Sequence, residues 1–264
     1  MRREAFAPQH DMALWALIMA DGDLDPPPAL GDIARPALFL DFDGTLVDLA
    51  PSPDAITVPD HLPAALERKA EQLDGRLAVV SGRFVADVRK HLRDCAVVIS
   101  GSHGAEITSP EGSPVGDREP SRVDDAVLAH ARDFAAGMPS LLLEEKALGL
   151  GLHYRKCADR SDEVRRFAQD MASEHGLHLR HGKMVVELAT TDATKGAGVH
   201  AIMAQPPFEG ATPIFVGDDV TDEDGFAAVN ELGGFGVLVG ERRETNARYR
   251  LFDVAAVHQW LELE

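Results

Sequence analysis

Four short apolar runs along the chain each end abruptly in polar residues. A continuous apolar run of four or five residues is typical of a strand buried on both faces. Helical stretches separate the runs, and an alternation of strand and helix predicts a doubly wound parallel sheet, an α/β fold. The runs cover residues 37–40, 77–80, 95–99 and 213–216, and they lead into Asp41, Ser81, the turn 100–106 and Asp218.

Between residues 107 and 190 the pattern changes. A helix, two strand-like runs, a second helix and two more strand-like runs follow one another, which predicts an α+β unit rather than more of the parallel sheet. The first pattern resumes afterwards. We therefore expect a discontinuous core domain over 31–106 and 191–264, an inserted α+β lid (cap) domain over 107–190, and an N-terminal arm over 1–30.

Composition limits the partners and the location. The chain has 264 residues and a formal net charge of −18, which argues against nucleic acid because phosphate backbones are bound by Lys and Arg patches. The apolar patch 12–20 is shorter than a membrane span and lacks a signal-peptide cleavage pattern. Cys95 and Cys157 show no metal-type or disulfide-type spacing. We expect a soluble cytoplasmic protein with no membrane partner, and the sequence leaves open whether it is a monomer or a dimer.

The polar strand ends carry the candidate chemistry. The carboxyl ends of parallel strands meet at one edge of a sheet, so these side chains are expected to converge in one cleft. Asp41 and Asp43 lie two residues apart, and an extended backbone points both toward the same side. Because crowded carboxylates repel one another and a hard cation relieves that repulsion, we expect Mg2+ to be bound by Asp41, the backbone carbonyl of Asp43, and Asp218.

A carboxylate beside Mg2+ can attack a phosphoryl group. Asp41 is the candidate nucleophile. Asp43 is the candidate general acid and base, and its surroundings must keep it protonated at the first step. Ser81 offers a hydroxyl and Lys195 a positive charge, both suited to phosphate. Asp222 is expected to orient a water on the metal or to fix Lys195.

Several motifs resemble known signatures. The stretches DFDGTL at Asp41, SGR at Ser81, TKG at Lys195 and GDDVTD at Asp218 resemble the four motifs of the haloacid-dehalogenase superfamily of phosphatases. Within it, GSHGAE from 101, EKALGLGLHYR from 145 and GKMVVE from 182 resemble the trehalose-6-phosphate phosphatase family, and the resemblance spans about residues 36–262. It implies Mg2+-dependent hydrolysis of trehalose 6-phosphate to trehalose and phosphate through an aspartyl-phosphate, the last step of trehalose biosynthesis.

The resemblance also implies which side chains contact the sugar. From the cap these are Lys146, His153, Lys183 and Glu187, and from the core they are Arg83, His103 and Glu106. One departure from the family pattern follows the cap glutamate. Relatives commonly carry a basic residue and Pro shortly after it, whereas this chain continues with Leu-Ala-Thr-Thr to Thr191. That loop joins cap to core, so the departure concerns its stiffness and one sugar contact.

Other interpretations remain open on the sequence alone. Within enzymes they are a phosphatase of another sugar phosphate, of the sucrose or mannosylglycerate phosphate type, or a mutase. Outside enzymes the alternative is a phosphate-accepting receiver or a non-catalytic regulatory partner of a synthase. Asp43 argues against the receiver, which needs no acid or base two residues after its acceptor. Asp219, expected behind the metal with Asp222, is also explained as a helix N-terminal charge, and Lys146 and His153 as the solvent face of a hairpin.

Overall fold

The computed structural model describes residues 23–50, 55–93, 95–115, 122–146, 148–182 and 184–264. Within these ranges the strands are β1 (Pro36–Leu40), β2 (Leu77–Val80), β3 (Val98–Gly101), β4 (Glu106–Thr108), β5 (Leu142–Lys146), β6 (Gly149–His153), β7 (His178–Gly182), β8 (Val185–Ala189), β9 (Thr212–Gly217), β10 (Phe235–Val239) and β11 (Tyr249–Leu251). The helices are α1 (Leu62–Gln72), α2 (Val85–His91), α3 (Asp125–Ala136), α4 (Ser161–His175), α5 (Lys195–Met203), α6 (Glu223–Glu231) and α7 (Val254–Leu261).

The larger sheet has seven strands in the order β11-β10-β9-β1-β2-β3-β4. Its neighbours pair in parallel except β3 and β4, which are antiparallel. The prediction of an α/β fold with a parallel sheet is therefore confirmed. The short strands β4 and β11 at the two edges were not predicted, because three residues are too few to show a period-2 pattern.

Both faces of this sheet are covered, as the continuous apolar runs predict. On β1, Leu38 and Leu40 pack in one cluster with residues of α1, α2 and α7. Ala37 and Phe39, which point the other way, pack in a second cluster with residues of α5 and α6. This two-sided burial is the doubly wound arrangement, and it leaves only the ends of the central strands available for polar side chains.

A separate antiparallel sheet of four strands, in the order β5-β6-β8-β7, is formed by the region between β4 and α5. Apolar residues on one face of it, such as Leu152 and Val186, pack with α3 and α4 in a third cluster. The two predicted hairpins are therefore joined through β6 and β8 into one sheet. An α+β cap is confirmed as part of the fold class, whereas the exact domain boundaries stay predictions.

The chain between residues 23 and 30 packs on the core rather than apart from it. Arg250 forms an ion pair with Asp23, and the Trp260 indole donates to the Pro28 carbonyl at 2.9 Å. The apolar patch 12–20 lies outside the described residues. Among the helices that the structure describes, none is long and apolar enough to cross a membrane.

Candidate active site

The site begins where β1, β2 and β9, three neighbouring strands, come to an end. Asp41 follows β1, Ser81 follows β2 and Asp218 follows β9. Because β1 lies between the other two and pairs with both in parallel, the three side chains converge at one edge of the sheet. The Asp41 amide donates to the Val216 carbonyl at 2.9 Å, which fixes the first residue beyond the strand.

Lys195 lies at the first turn of α5 and joins two carboxylates. Its Nζ is 2.7 Å from Asp41 Oδ1 and 2.6 Å from Asp222 Oδ1, and all three side chains are buried. Burial opposes the charge on the lysine, but the two neighbouring carboxylates outweigh it and raise the pKa of Lys195. Asp222 Oδ2 also accepts from the Asp219 amide at 2.8 Å. Asp222 therefore fixes Lys195, one of the two roles expected for it.

Three carboxylates lie close together at this edge of the sheet. Single oxygens of Asp41, Asp218 and Asp222 all lie within 4.8 Å of one another. Burial and the charge of Asp222 raise the pKa of Asp41 well above its usual range. Burial and the neighbouring carboxylates also raise the pKa of Asp218 to about 6. Asp218 Oδ1 is buried without a hydrogen-bond partner among the described residues. This concentration of oxygen donors and negative charge fits a hard divalent cation.

The turn after β1 is packed tightly against the same carboxylates. Gly44 has a φ of 81°, and a Cβ at this position would lie 2.3 Å from Asp218 Oδ2. A side chain there would displace the carboxylate, so the glycine of the first motif is required by the site as well as by the turn. Asp219 Oδ1 accepts from the Val220 amide and forms a capping box with Asp222. This contact is the helix-terminal role considered for Asp219.

Asp43 is held by Arg83. The guanidinium donates from Nε to Asp43 Oδ2 at 2.6 Å and from Nη2 to Asp43 Oδ1 at 2.8 Å, a bidentate pair. Its Nη1 also donates to Asp87 Oδ2 at 3.0 Å. Ser81 Oγ accepts from the Arg83 amide at 3.1 Å, so the buried hydroxyl supports the loop that carries the guanidinium. Arg83 thus contacts the candidate acid of the reaction in addition to lining the cavity described below.

His103 lies in a turn with left-handed backbone at two successive residues that are not glycine. Ser102 has a φ of 50° and His103 a φ of 57°. Burial and then the positive charge of Lys195 lower the pKa of His103 to about 4, so its ring is neutral near pH 7. Glu106, which follows the turn, accepts from the Ser102 hydroxyl and from the Val85 amide. Two successive left-handed residues that are not glycine are uncommon, and strained backbone tends to cluster at active sites.

The cap presents a second lysine with two carboxylates. Lys146 Nζ is 2.6 Å from Glu187 Oε1 and 3.6 Å from Glu144 Oε2. His153 Nε2 lies 2.9 Å from the same Glu144 oxygen. These side chains stand on β5, β6 and β8, on the sheet face opposite the cap's apolar cluster. Lys183 lies outside the described residues.

One large cavity of about 490 Å³ separates the two charged groups. Its walls include Asp41, Asp43, Ser81, Arg83, His103, Lys195, Asp218 and Asp219 from the core, and Glu144, Glu145 and Lys146 from the cap. A smaller adjoining cavity is lined by His103, Lys146, Glu187 and Arg180. Of the predicted site residues that the structure describes, Glu106, His153 and Asp222 line neither cavity. The structure thus brings most of the predicted site residues together around these two cavities.

Several cavity residues were missed from the sequence, among them Glu144 and Arg180. Glu144 lies two positions before Lys146 on β5, so the period of the strand puts both on one face, and this spacing was a usable signal. Arg180 stands on β7 and donates to the backbone carbonyls of Ala193 and Thr191, in the loop leading back to the core. Nothing in the local sequence indicates that reach, because it depends on how the cap sheet sits over the loop.

Comparison with known proteins decides the family. The family model described as trehalose-phosphatase matches residues 39–255, most of the chain. The chain belongs to the trehalose-phosphatase family. The resemblance inferred from the motifs and the prediction of a phosphatase are both confirmed by this membership.

Two curated members of the trehalose-phosphatase family and one solved structure illustrate the similarity. The trehalose-6-phosphate phosphatase of Escherichia coli K12 is 36% identical over 231 residues, covering 87% of this chain and 86% of that protein. The probable trehalose-phosphate phosphatase of Sinorhizobium fredii is 39% identical over 211 residues, covering 79% of each. The crystal structure of a trehalose-6-phosphate phosphatase related protein superposes with a TM-score of 0.72 at 26% identity, covering 86% of this chain and 95% of that one.

Proposed function

We propose that this chain hydrolyses trehalose 6-phosphate to trehalose and phosphate, as the last step of trehalose biosynthesis. The observation that carries the proposal is the large cavity, which has charged side chains on both its core wall and its cap wall. A phosphoryl group requires an attacking group and positive charge on one side, and sugar hydroxyls require donors and acceptors on the other. The names of the curated relatives support this substrate over other sugar phosphates.

Mg2+ is the proposed cofactor. Asp41, Asp218 and the backbone carbonyl of Asp43 would hold it, and the crowding of the Asp41, Asp218 and Asp222 carboxylates supports a cation at this position. When bound, the ion supplies positive charge that neutralises the phosphoryl oxygens. Asp222 is not among the proposed ligands of the ion, because both its oxygens already accept hydrogen bonds.

Asp41 is the proposed nucleophile. One of its oxygens forms a bond to phosphorus while the bond from phosphorus to the sugar oxygen breaks, and Asp43 gives its proton to that oxygen. The aspartyl-phosphate is then attacked by water, which passes a proton to Asp43 as the bond between Asp41 and phosphorus breaks. Lys195 Nζ donates to Asp41 Oδ1 at 2.7 Å, and this contact holds the carboxylate in one orientation.

The pair of Arg83 with Asp43 sets a condition on this mechanism. The guanidinium occupies both oxygens of Asp43, whereas Asp43 must carry a proton when the leaving group departs. Substrate binding must therefore free at least one Asp43 oxygen. Asp87, which already accepts from Arg83 at 3.0 Å, is placed to retain the guanidinium while this happens.

The remaining parts of the proposal concern substrate contacts and location. Lys146 and Glu187 are proposed to exchange their mutual ion pair for sugar hydroxyls, with Glu144 beside them. His103 approaches from the core side. Cytoplasmic location is supported by the two cysteines, which are both free thiols buried in the protein. The partner is a small phosphorylated disaccharide.

The test is phosphate release from trehalose 6-phosphate, sucrose 6-phosphate, glucose 6-phosphate and p-nitrophenyl phosphate, each with Mg2+ and with EDTA. We expect a strong preference for trehalose 6-phosphate and loss of release with EDTA. Equal, slow release from every substrate would leave the Asp41 chemistry standing and refute the sugar assignment. Asp43→Asn is expected to abolish turnover, and a variant that still turned over would refute the acid and base role.

A further inference from the structure

We propose that Glu106 is a positioning residue, which holds Arg83 and His103 in their working places, rather than a ligand of the sugar. The assignment rests on the proposed function only for its sugar-phosphate substrate, because the positioning itself concerns any phosphate ester. Glu106 lines neither of the two cavities between cap and core, although residues on both sides of it in space do.

Both carboxylate oxygens of Glu106 are already used inside the core. Oε2 accepts from the Val85 amide at 3.2 Å, and Oε1 accepts from the Ser102 hydroxyl at 3.1 Å. Val85 is the first residue of α2, so this amide has no partner within the helix. The side chain therefore joins the start of α2 to the turn after β3.

Backbone contacts join the same two segments. The Ser102 amide donates to the Arg83 carbonyl at 2.7 Å, and the His103 amide donates to the Ser81 carbonyl at 3.0 Å. The approach is close, because a Cβ on Gly101 would lie 2.5 Å from the Val85 nitrogen. Two backbone hydrogen bonds and the two contacts of Glu106 thus hold loop 81–85 to segment 101–106. We call this arrangement the Glu106 clamp.

The clamp carries a cavity-lining side chain on each of its two segments. Arg83, in the loop, holds both oxygens of Asp43 at 2.6 and 2.8 Å. His103, in the turn, keeps a left-handed backbone that residues other than glycine adopt uncommonly. Loosening the clamp is expected to displace both side chains, and a displacement of about 1 Å near reacting groups can cost about 100-fold in rate.

The test compares two substrates across matched variants. For Glu106→Ala we expect kcat/KM to fall about 10- to 100-fold with trehalose 6-phosphate and to a similar extent with p-nitrophenyl phosphate, which carries no sugar. Glu106→Gln is expected to restore most of the activity, because the amide oxygen can accept from Val85 while the Ser102 hydroxyl rotates to accept from the amide nitrogen. Glu111→Ala, an exposed glutamate close by in sequence, is the control and should match the unmodified protein.

A double-mutant cycle separates positioning from loss of fold. If Glu106 acts through Arg83, then Glu106→Ala should have little further effect on p-nitrophenyl phosphate in an Arg83→Ala background. General destabilisation would instead reduce activity by the same factor in both backgrounds. Urea unfolding shows whether Glu106→Ala folds. If it does not, Ser102→Ala removes one hydrogen bond of the clamp and should lower kcat/KM for both substrates by the same, smaller factor.

The opposite pattern would overturn the proposal. If Glu106→Ala raised KM for trehalose 6-phosphate and left p-nitrophenyl phosphate unchanged, Glu106 would be a sugar ligand. Additive effects in the cycle would also refute it. The proposed function fails separately, when the unmodified protein shows no preference for trehalose 6-phosphate, and the clamp is then still tested with p-nitrophenyl phosphate.

Discussion

The core and the cap each contain a lysine between two carboxylates, and the two groups differ mainly in burial. In the core, the side chains of Lys195, Asp41 and Asp222 are 3%, 6% and 0% exposed. In the cap, those of Lys146 and Glu187 are 26% and 25% exposed. Both lysines make one contact of 2.6 Å, so contact distance alone does not distinguish them.

The difference indicates what each group is suited to do. Removing one partner of a buried ion pair leaves an uncompensated charge, so the core group is held in one geometry. A partly exposed ion pair contributes little to the free energy of folding, so water or sugar hydroxyls can replace either partner at a small cost in free energy. A fixed arrangement suits the chemistry at phosphorus, and an exchangeable one suits recognition of the substrate.

The largest effect is expected from Asp41, the proposed nucleophile. Asp41→Asn should lower kcat by about 10⁴-fold or more with every substrate, because the attacking oxygen is lost. Phosphate release from trehalose 6-phosphate and p-nitrophenyl phosphate measures it. The control is Asp48→Asn, an exposed carboxylate seven residues along. A residual rate within tenfold of the unmodified protein would contradict the assignment.

Stability separates the two lysines. Lys195→Met should lower the free energy of unfolding by about 3–5 kcal/mol, because Asp41 and Asp222 stay buried without a counter-charge. Lys146→Met should lower it by less than about 1 kcal/mol. Urea unfolding without Mg2+ measures both values. Equal losses would mean that burial does not distinguish the two groups.

Substrate choice gives the converse comparison. Lys146→Met should lower kcat/KM for trehalose 6-phosphate about 10- to 100-fold, because one charge-assisted hydrogen bond to the sugar is lost. The value of kcat/KM for p-nitrophenyl phosphate should change by less than about 3-fold. Lys156→Met, an exposed cap lysine, serves as control. Parallel losses on both substrates would place Lys146 in the chemistry instead.

The smallest effect concerns pH. His103 has a pKa of about 4 in the folded protein against about 6.5 when unfolded, so the unfolded chain binds the extra proton first as pH falls. The contribution of neutral His103 is present above pH 6.5 and is lost progressively down to pH 4. Between pH 7 and 5.5 the loss is about 1 kcal/mol.

Unfolding curves at these two pH values check this prediction, with His103→Asn as the comparison. Asn tolerates the left-handed backbone and does not titrate. The variant should therefore lose about 1 kcal/mol less stability than the unmodified protein between pH 7 and 5.5. An identical loss in both proteins would show that the imidazole is solvated and free to protonate.

Much of the fold was predictable because its signals are local. Strand β1 is predicted by its apolar run, and the alternation of such runs with helices predicts the parallel sheet. The end of β3 was placed two residues too early, since Ser100 and Gly101 interrupt the apolar pattern yet continue the strand and are buried. The two Asp residues of the first motif, Ser81 and Asp218 were predicted from the strand ends that they follow, and Lys195 was predicted from its positive charge at the start of α5.

The sequence by itself determined the order of the elements, the edge of the sheet where polar groups collect, and the residue types available there. Only the tertiary structure decided which partners those groups take. In the structure Arg83 pairs with Asp43 and Lys195 pairs with Asp222, and Glu106 accepts from the Val85 amide instead of lining the cavity. The physical reason is that backbone periodicity sets the direction of a side chain within its own element. Hydrogen-bond partners distant in sequence depend on how separate loops pack, which no local pattern encodes.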